Sequence, residues 1–146
     1  MENLVRDSVD DFDYVLVDCP PSLGLLTINA LTAATSVLIP IQCEFYALEG
    51  VTKLIDSIKI VKKRLNPELE IFGVLLTMYD TRTTLTKQVE QEVIDFFGDK
   101  VFDVRVPRSV KIAEAPSYGQ SVIAYDPRGK GSEAYNDLAE EVIRRG

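Results

Sequence analysis

Residues Tyr14-Val-Leu-Val-Asp18 form an apolar run that ends on a carboxylate, and Cys19-Pro-Pro-Ser-Leu-Gly24 turns the chain at once. An uninterrupted apolar run predicts a strand buried on both faces, here Val15 to Val17, as in parallel sheets. Ligands of open α/β sheets gather beyond the carboxyl ends of the strands, which places Asp18 where a Mg²⁺ and the phosphates of a nucleotide would be handled. The other reading of an acid at this position is a cap on the helix that follows. The sequence contains no Gly-x-x-x-x-Gly-Lys-Ser/Thr loop, whose backbone N–H groups would cradle the phosphates. It therefore reads as half of a nucleotide site.

The rest of the chain alternates between strand and helix periodicity, the mark of an α/β fold. Leu23 to Ala34 is rich in Leu and Ala and predicts a helix. Ser36-Val-Leu-Ile-Pro-Ile41 predicts a strand whose ladder stops at Pro40. From Leu48 to Leu65 the apolar positions Val51, Leu54, Ile55, Ile58, Val61 and Leu65 recur at three and four, and lysines crowd the C-terminal end, as the helix dipole prefers. Asn66-Pro67 ends that helix. Ile71 to Met78 is continuously apolar and predicts a strand buried on both faces. Val89, Val93, Phe96 and Phe97 mark a further helix closed by Gly98. Val101 to Val106 then predicts a strand, Ser109 to Ala115 a short helix stopped before Pro116, and Ser132 to Arg145 a terminal helix.

Composition narrows the chemistry. The 146 residues suit one domain, residues 1–146, and 46% hydrophobic with 27% charged residues is globular. No apolar run approaches the roughly 20 residues that span a bilayer, and the first residues lack the basic-then-apolar order of a signal peptide, so a cytoplasmic protein is expected. With no histidine and only Cys19 and Cys43, zinc and histidine-based triads are not expected, and the two thiols read as buried small hydrophobes. Any metal would be a hard cation held by oxygen. The net charge of −7 is unevenly placed. From Lys100 to Lys130 six basic residues face three acidic ones, a local excess that could meet phosphate backbone or be ordinary surface scatter.

Five segments carry a resemblance. Asp18-Cys-Pro-Pro-Ser-Leu-Gly-Leu-Leu-Thr-Ile-Asn-Ala-Leu-Thr-Ala33 with Pro40-Ile-Gln-Cys-Glu-Phe-Tyr-Ala-Leu-Glu-Gly50, then Leu76 to Arg82, then Val106 to Gly119 and Tyr125 to Arg128, resemble the ParA/Soj ATPases of chromosome and plasmid partition. The resemblance runs from about Asp13 to the end of the chain and covers the family's C-terminal part. The family's phosphate-binding loop and first βαβ units are not in this sequence. The resemblance implies a three-layer α/β/α fold with a mostly parallel sheet, of P-loop NTPase type lacking its Walker A part. It implies that Asp18 is the Walker B acid, catalytic and ordering Mg²⁺ through water, and that Pro20 and Pro21 begin the switch that senses the γ-phosphate. Thr77, Met78, Pro107 and Arg108 correspond to strand ends bordering the purine, and Glu44 to a position reaching nucleotide across the dimer. Arg82 and Lys111, joined by Arg108 and Arg128, correspond to basic positions that hold DNA without sequence preference.

The function so implied uses ATP and Mg²⁺ to join two protomers. The homodimer binds non-specific DNA on the nucleoid until a ParB-type centromere-binding partner stimulates hydrolysis. Without the loop, this chain alone is not expected to turn over ATP. Two alternatives stay open: a non-enzymatic truncated remnant or interaction fragment, and a MinD-like membrane-patterning ATPase. The end Tyr135-Asn-Asp-Leu-Ala-Glu-Glu-Val-Ile-Arg-Arg-Gly146, with acids inside the helix, opposes membrane binding. The resemblance also implies that the strand leading into the missing loop lies between the Asp18 strand and the Ser36 to Ile41 strand. Its loss predicts a gap that those strands close by pairing or by self-association.

Overall fold

The computed structural model describes residues 12–20, 24–44 and 47–146, and these fall into two compact units, one of the described residues up to 37 together with 49–72 and the other of the described residues from 38 to 48 together with 73–146. Their elements are α1 (Leu25–Ala33), β1 (Ser36–Gln42), α2 (Ala47–Arg64), β2 (Glu70–Tyr79), α3 (Thr84–Phe97), β3 (Val101–Pro107), α4 (Val110–Glu114), α5 (Val122–Tyr125) and α6 (Lys130–Arg145). Strands β1, β2 and β3 lie side by side in one sheet in that order. Each is joined to the next by a helix, the connection a parallel pair requires. Parallel pairing is seen directly between β2 and β3, where Val74, Leu76 and Tyr79 face Val101, Arg105 and Pro107. For β1 and β2 it follows from two backbone bonds that advance together, Glu70 N–H to Thr35 C=O and Cys43 N–H to Thr77 C=O.

In the first unit the amphipathic α2 buries Val51, Ile55, Ile58 and Val61 of the stripe read from the sequence, while Leu54 is half-buried and Leu65, just past the helix, is exposed. Just beyond α2 the Asn66 amide donates to the carbonyls of Leu31 and Ala34, at 3.0 and 2.7 Å, and so closes the C-terminal end of α1. The expectation at Val15 to Val17 is not met. The segment is extended but belongs to no ladder, and Tyr14, Val15, Leu16 and Val17 are all exposed, Leu16 by 92%. An apolar run becomes a buried strand only when a neighbouring strand takes its N–H and C=O groups, and none does so among the described residues. The predicted direct pairing of this segment with β1 is therefore not observed. Cys19 is likewise half exposed rather than buried, its thiol donating to the Val17 carbonyl at 3.6 Å.

In the second unit Gly73, Val74, Leu75 and Leu76 are buried in succession, as a two-faced strand demands. A Cβ at Gly73 would collide with the ring of Phe102, itself fully buried, so glycine is what lets β2 and β3 approach there. Strand β1 does not stop at Pro40 but continues to Gln42. It lies at the edge of the sheet, where a missing N–H costs no ladder bond on the open side. Helix α3 starts at the Thr83 cap, whose hydroxyl accepts from Thr86 N–H, and ends at Gly98 with φ of 57°. Phe96, read as part of its apolar face, is 62% exposed. Helix α4 ends at Glu114, before Pro116 as expected, and a 3₁₀ turn, Ala115–Tyr118, follows with the proline at an opening position.

The pairing of β2 with β3 slips twice. At the slip the backbone N–H groups of Asp103 and Val104 both turn to one carboxylate, Glu141 of α6, at 2.8 and 3.0 Å. Successive N–H groups of a regular strand point to opposite sides, so a shared acceptor marks a bulge. Arg145, one turn on, pairs with Glu141 at 2.6 Å, donates to the carbonyls of Asp99 and Val101, and lies 4.4 Å from the centre of the Phe102 ring. Nothing in the sequence reading marked this latch.

Candidate functional site

The carboxyl ends of three parallel strands deliver Glu44, the segment Thr77 to Arg82 and the segment Pro107 to Lys111 to one edge of the sheet. Thr77 is half-buried, its hydroxyl donating to the Ile41 carbonyl at 3.3 Å, which ties the end of β2 to β1. Arg108 N–H donates to the Tyr79 carbonyl at 3.1 Å and ties it to β3. Between these ties Met78 has φ of 52°, the only non-glycine residue in the left-handed region among those described. That conformation departs from strand geometry and costs about 1–2 kcal/mol to hold, although β2 runs through it to Tyr79. Tyr79 beyond the kink still pairs with Pro107, and the strand ends there, before Asp80.

Beyond the kink lies an open groove of about 930 Å³ lined by Tyr79, Asp80, Arg82, Pro107, Arg108 and Lys130 among others. Arg82 grips Asp80 with two parallel bonds, Nε to Oδ1 at 2.9 Å and Nη2 to Oδ2 at 2.7 Å. The Arg82 hydrogen bonds, with the charges of Arg82 and Arg108, hold the Asp80 carboxyl at about 2. Acids balance the bases of this groove, since Asp103, Glu133 and Asp137 line it too. Lys111, on α4, is paired with Glu114 at 3.2 Å, and its ammonium stands 5.4 Å over the Tyr125 ring, which is stacked on Tyr118. Arg128 lines a separate shallow pocket of about 440 Å³ that shares Glu133 and Asp137 with the groove. The local excess of positive charge is thus largely compensated in place.

Beneath the groove a half-buried network fixes Tyr79. Its hydroxyl donates to Glu90 of α3, whose other oxygen accepts from Arg105 Nε at 2.8 Å. Burial raises the Glu90 carboxyl, yet the bonds from Tyr79 and Arg105 outweigh it and leave the group lowered. Cys43 is buried beside them, its thiol pushed up to about 11, chiefly by burial.

Of the residues singled out from the sequence, Thr77, Met78, Pro107, Arg108 and Arg82 are brought together at this edge, with Glu44 exposed at the end of β1. Lys111 stands on the helix that follows, and Arg128 opens the turn before α6. Asp18 and Pro20 are exposed and belong to the other unit. Pro21 lies outside the described residues. No cluster of three or more Asp, Glu, Cys or His able to hold a metal ion occurs among the described residues. Asp80, Glu90 and Glu141 were not foreseen. The spacing Asp80-x-Arg82 was the signal for the first, because a side-chain oxygen two residues before an N–H is the pattern of an Asx turn.

The comparisons with known proteins agree with this architecture. The AAA domain family matches residues 1–71. Among solved structures the chain resembles cobyrinic acid a,c-diamide synthase of Mycobacterium smegmatis, 36% identical with a TM-score of 0.79, covering 98% of this chain and 51% of that one. It also resembles the cell division ATPase MinD of Pyrococcus furiosus, 26% identical with a TM-score of 0.78, covering 99% and 57%. The fold is therefore that of the P-loop ATPases of the ParA and MinD kind. Within that class, the sporulation initiation inhibitor protein Soj of Bacillus subtilis is 57% identical over 136 residues, 93% of this chain and 54% of Soj. The chromosome partitioning protein ParA of Myxococcus xanthus is 50% identical over 145 residues, 99% of this chain and 51% of that protein. The chain belongs to the ParA/Soj family and spans about half the length of the curated relatives it matches. No helix among the described residues is long and apolar enough to cross a membrane.

Proposed function

We propose that the chain is part of a ParA/Soj-type partitioning ATPase, working in the cytoplasm on nucleoid DNA. ATP with Mg²⁺ joins two protomers, the dimer holds DNA without sequence preference, and a ParB-type centromere-binding protein stimulates hydrolysis. The observation that carries this reading is the 57% identity to Soj across 93% of the chain. A solved relative at 36% identity was crystallised with an ATP analogue and magnesium, which supports nucleotide and metal for this chain.

The roles follow from chemistry. Asp18 is an exposed carboxylate outside any cluster of three or more possible metal ligands among the described residues, a setting that suits a Mg²⁺ held through water. The ion supplies charge neutralisation for the phosphates. Pro20, with Pro21, stiffens the turn after Asp18. The backbone at Thr77, Met78, Pro107 and Arg108 borders the purine, and Glu44 reaches nucleotide from the partner protomer. Arg82, Arg108, Lys111 and Arg128 contact phosphate backbone, where charge rather than base identity decides.

The test places this chain in exchange for the matching segment of Bacillus subtilis Soj. The chimaera is expected to hydrolyse ATP, to dimerise on an ATP analogue and to bind random-sequence DNA. Asp18→Ala should abolish turnover. Joint replacement of Arg82 and Lys111 by alanine should weaken DNA binding and leave dimerisation intact, and loss of both would show these residues to be structural. The isolated chain, which lacks the phosphate loop, is expected to bind Mg-ATP weakly or not at all in calorimetry. Micromolar binding would overturn that expectation.

A further inference from the structure

Arg82 is a highly exposed charge at the groove, yet its guanidinium is already engaged. Its side chain is 85% exposed, whereas that of Asp80, which it grips, is only 19% exposed. Asp80 is held from its own side as well. Its Oδ1 accepts from Arg82 backbone N–H at 3.0 Å, and its carbonyl accepts from the N–H and hydroxyl of Thr83, at 3.2 and 3.4 Å. The carboxylate is thus a fixed fixture of the turn behind the Met78 kink, and the guanidinium is the partner that can leave. Arg108 lines the same groove and bears on the same carboxylate electrostatically.

A planar guanidinium meets a carboxylate and a phosphate in the same two-pronged geometry. We propose that Asp80 occupies, at Arg82, the place of a DNA phosphate, and that it sets the DNA affinity of this site as a competitor within the chain that DNA must displace. This rests on the reading of Arg82 as a DNA contact. The carboxyl remains ionised wherever DNA binding is measured, because Arg82 holds it at about 2, so the competition is present throughout. An exposed pair is weak enough for a polyanion to break, and removing it is expected to change affinity by about two- to fivefold. The arrangement has a clear use for a protein that must release DNA: it lowers the hold of a single protomer, while two protomers joined still bind by adding their contacts.

The experiment compares the chain with Asp80→Asn, Arg82→Ala and the double variant, by fluorescence anisotropy on a short labelled DNA duplex at low salt. Asp137→Asn, an acid of the same groove, controls for bulk charge. Asp80→Asn is expected to tighten binding about two- to fivefold, Asp137→Asn less, and Arg82→Ala to weaken it. In the Arg82→Ala background Asp80→Asn should have no effect beyond that of the control. Equal or weaker binding by Asp80→Asn, with Arg82→Ala still weakened, would show that Asp80 supports Arg82 instead of competing with DNA, and would overturn the proposal alone. Unchanged binding by Arg82→Ala would overturn the DNA reading of Arg82 and the proposal with it. If the chain alone holds DNA too weakly for the comparison, the same variants are read in the Soj chimaera with an ATP analogue.

Discussion

Replacing Glu141 with alanine is expected to be among the most damaging single changes in this chain. The side chain is 2% exposed and is the common acceptor for the N–H groups of Asp103 and Val104 at the bulge of β3. Alanine leaves two half-buried donors without a partner, at about 1–3 kcal/mol each. It also frees Arg145 from its carboxylate, although that guanidinium keeps the carbonyls of Asp99 and Val101. The sum, about 3–5 kcal/mol, is in the range for breaking a buried pair and is a large share of the 5–15 kcal/mol typical of a domain. Glutamine should cost less, about 2 kcal/mol, since its oxygen still accepts one bond while its amide opposes the second N–H. Urea unfolding followed by circular dichroism measures the loss, and amide exchange at Asp103 and Val104 localises it. The pH dependence provides a second check. Burial raises the Glu141 carboxyl, but the two backbone bonds and Arg145 outweigh it, so the folded group titrates below its usual 4.5. A depressed carboxyl contributes stability that is complete above the unfolded value and is lost as pH falls through the folded one. The gap between wild type and Glu141→Gln should therefore be constant above about pH 5 and narrow in more acid solution. A loss below 1 kcal/mol for alanine, or a gap that widens in acid, would refute this account of the bulge.

Two further outcomes follow from the same unit. Gly73→Ala drives a methyl group into the buried Phe102 ring, and should destabilise by about 1–3 kcal/mol in urea titration, with Phe102→Leu relieving part of the loss. Cys43, buried with its thiol pushed up to about 11, should resist a thiol reagent at pH 8, while the half-exposed Cys19 reacts first, as peptide mass spectrometry would show.

Strand β2 was legible in the sequence because burial on both faces leaves an unbroken apolar run, as at Gly73 to Leu76, while β1 and β3 were legible from shorter apolar stretches. Val15 to Val17 reads identically and fails for one reason: apolar content reports a demand for cover, and only another strand can meet it. Met78 carried no signal, since no residue-level preference places methionine at positive φ. Glu141 was hidden by its neighbour Glu140, alike in type and exposed to solvent. Its place in the period does distinguish it. Ala134, Leu138, Glu141 and Arg145 recur at three and four along α6, so a glutamate stands where an apolar residue is expected and a buried acceptor role is the physical alternative.

The candidate site divides along the same line. Its strand-end residues were named from the family resemblance, and the structure brings them to one edge because parallel strands deliver their carboxyl ends there. Its electrostatics were not, because the count of basic residues from Lys100 to Lys130 takes no account of pairing. In the fold Arg105 is taken by Glu90 and Lys111 by Glu114, while outside that window Arg82 is taken by Asp80. On the proposed DNA-binding role, an arginine or lysine paired at rest would reach a phosphate only by exchanging one anion for another, and the carboxylates of Asp80 and Glu114 would shape the affinity of this surface together with the cations they hold.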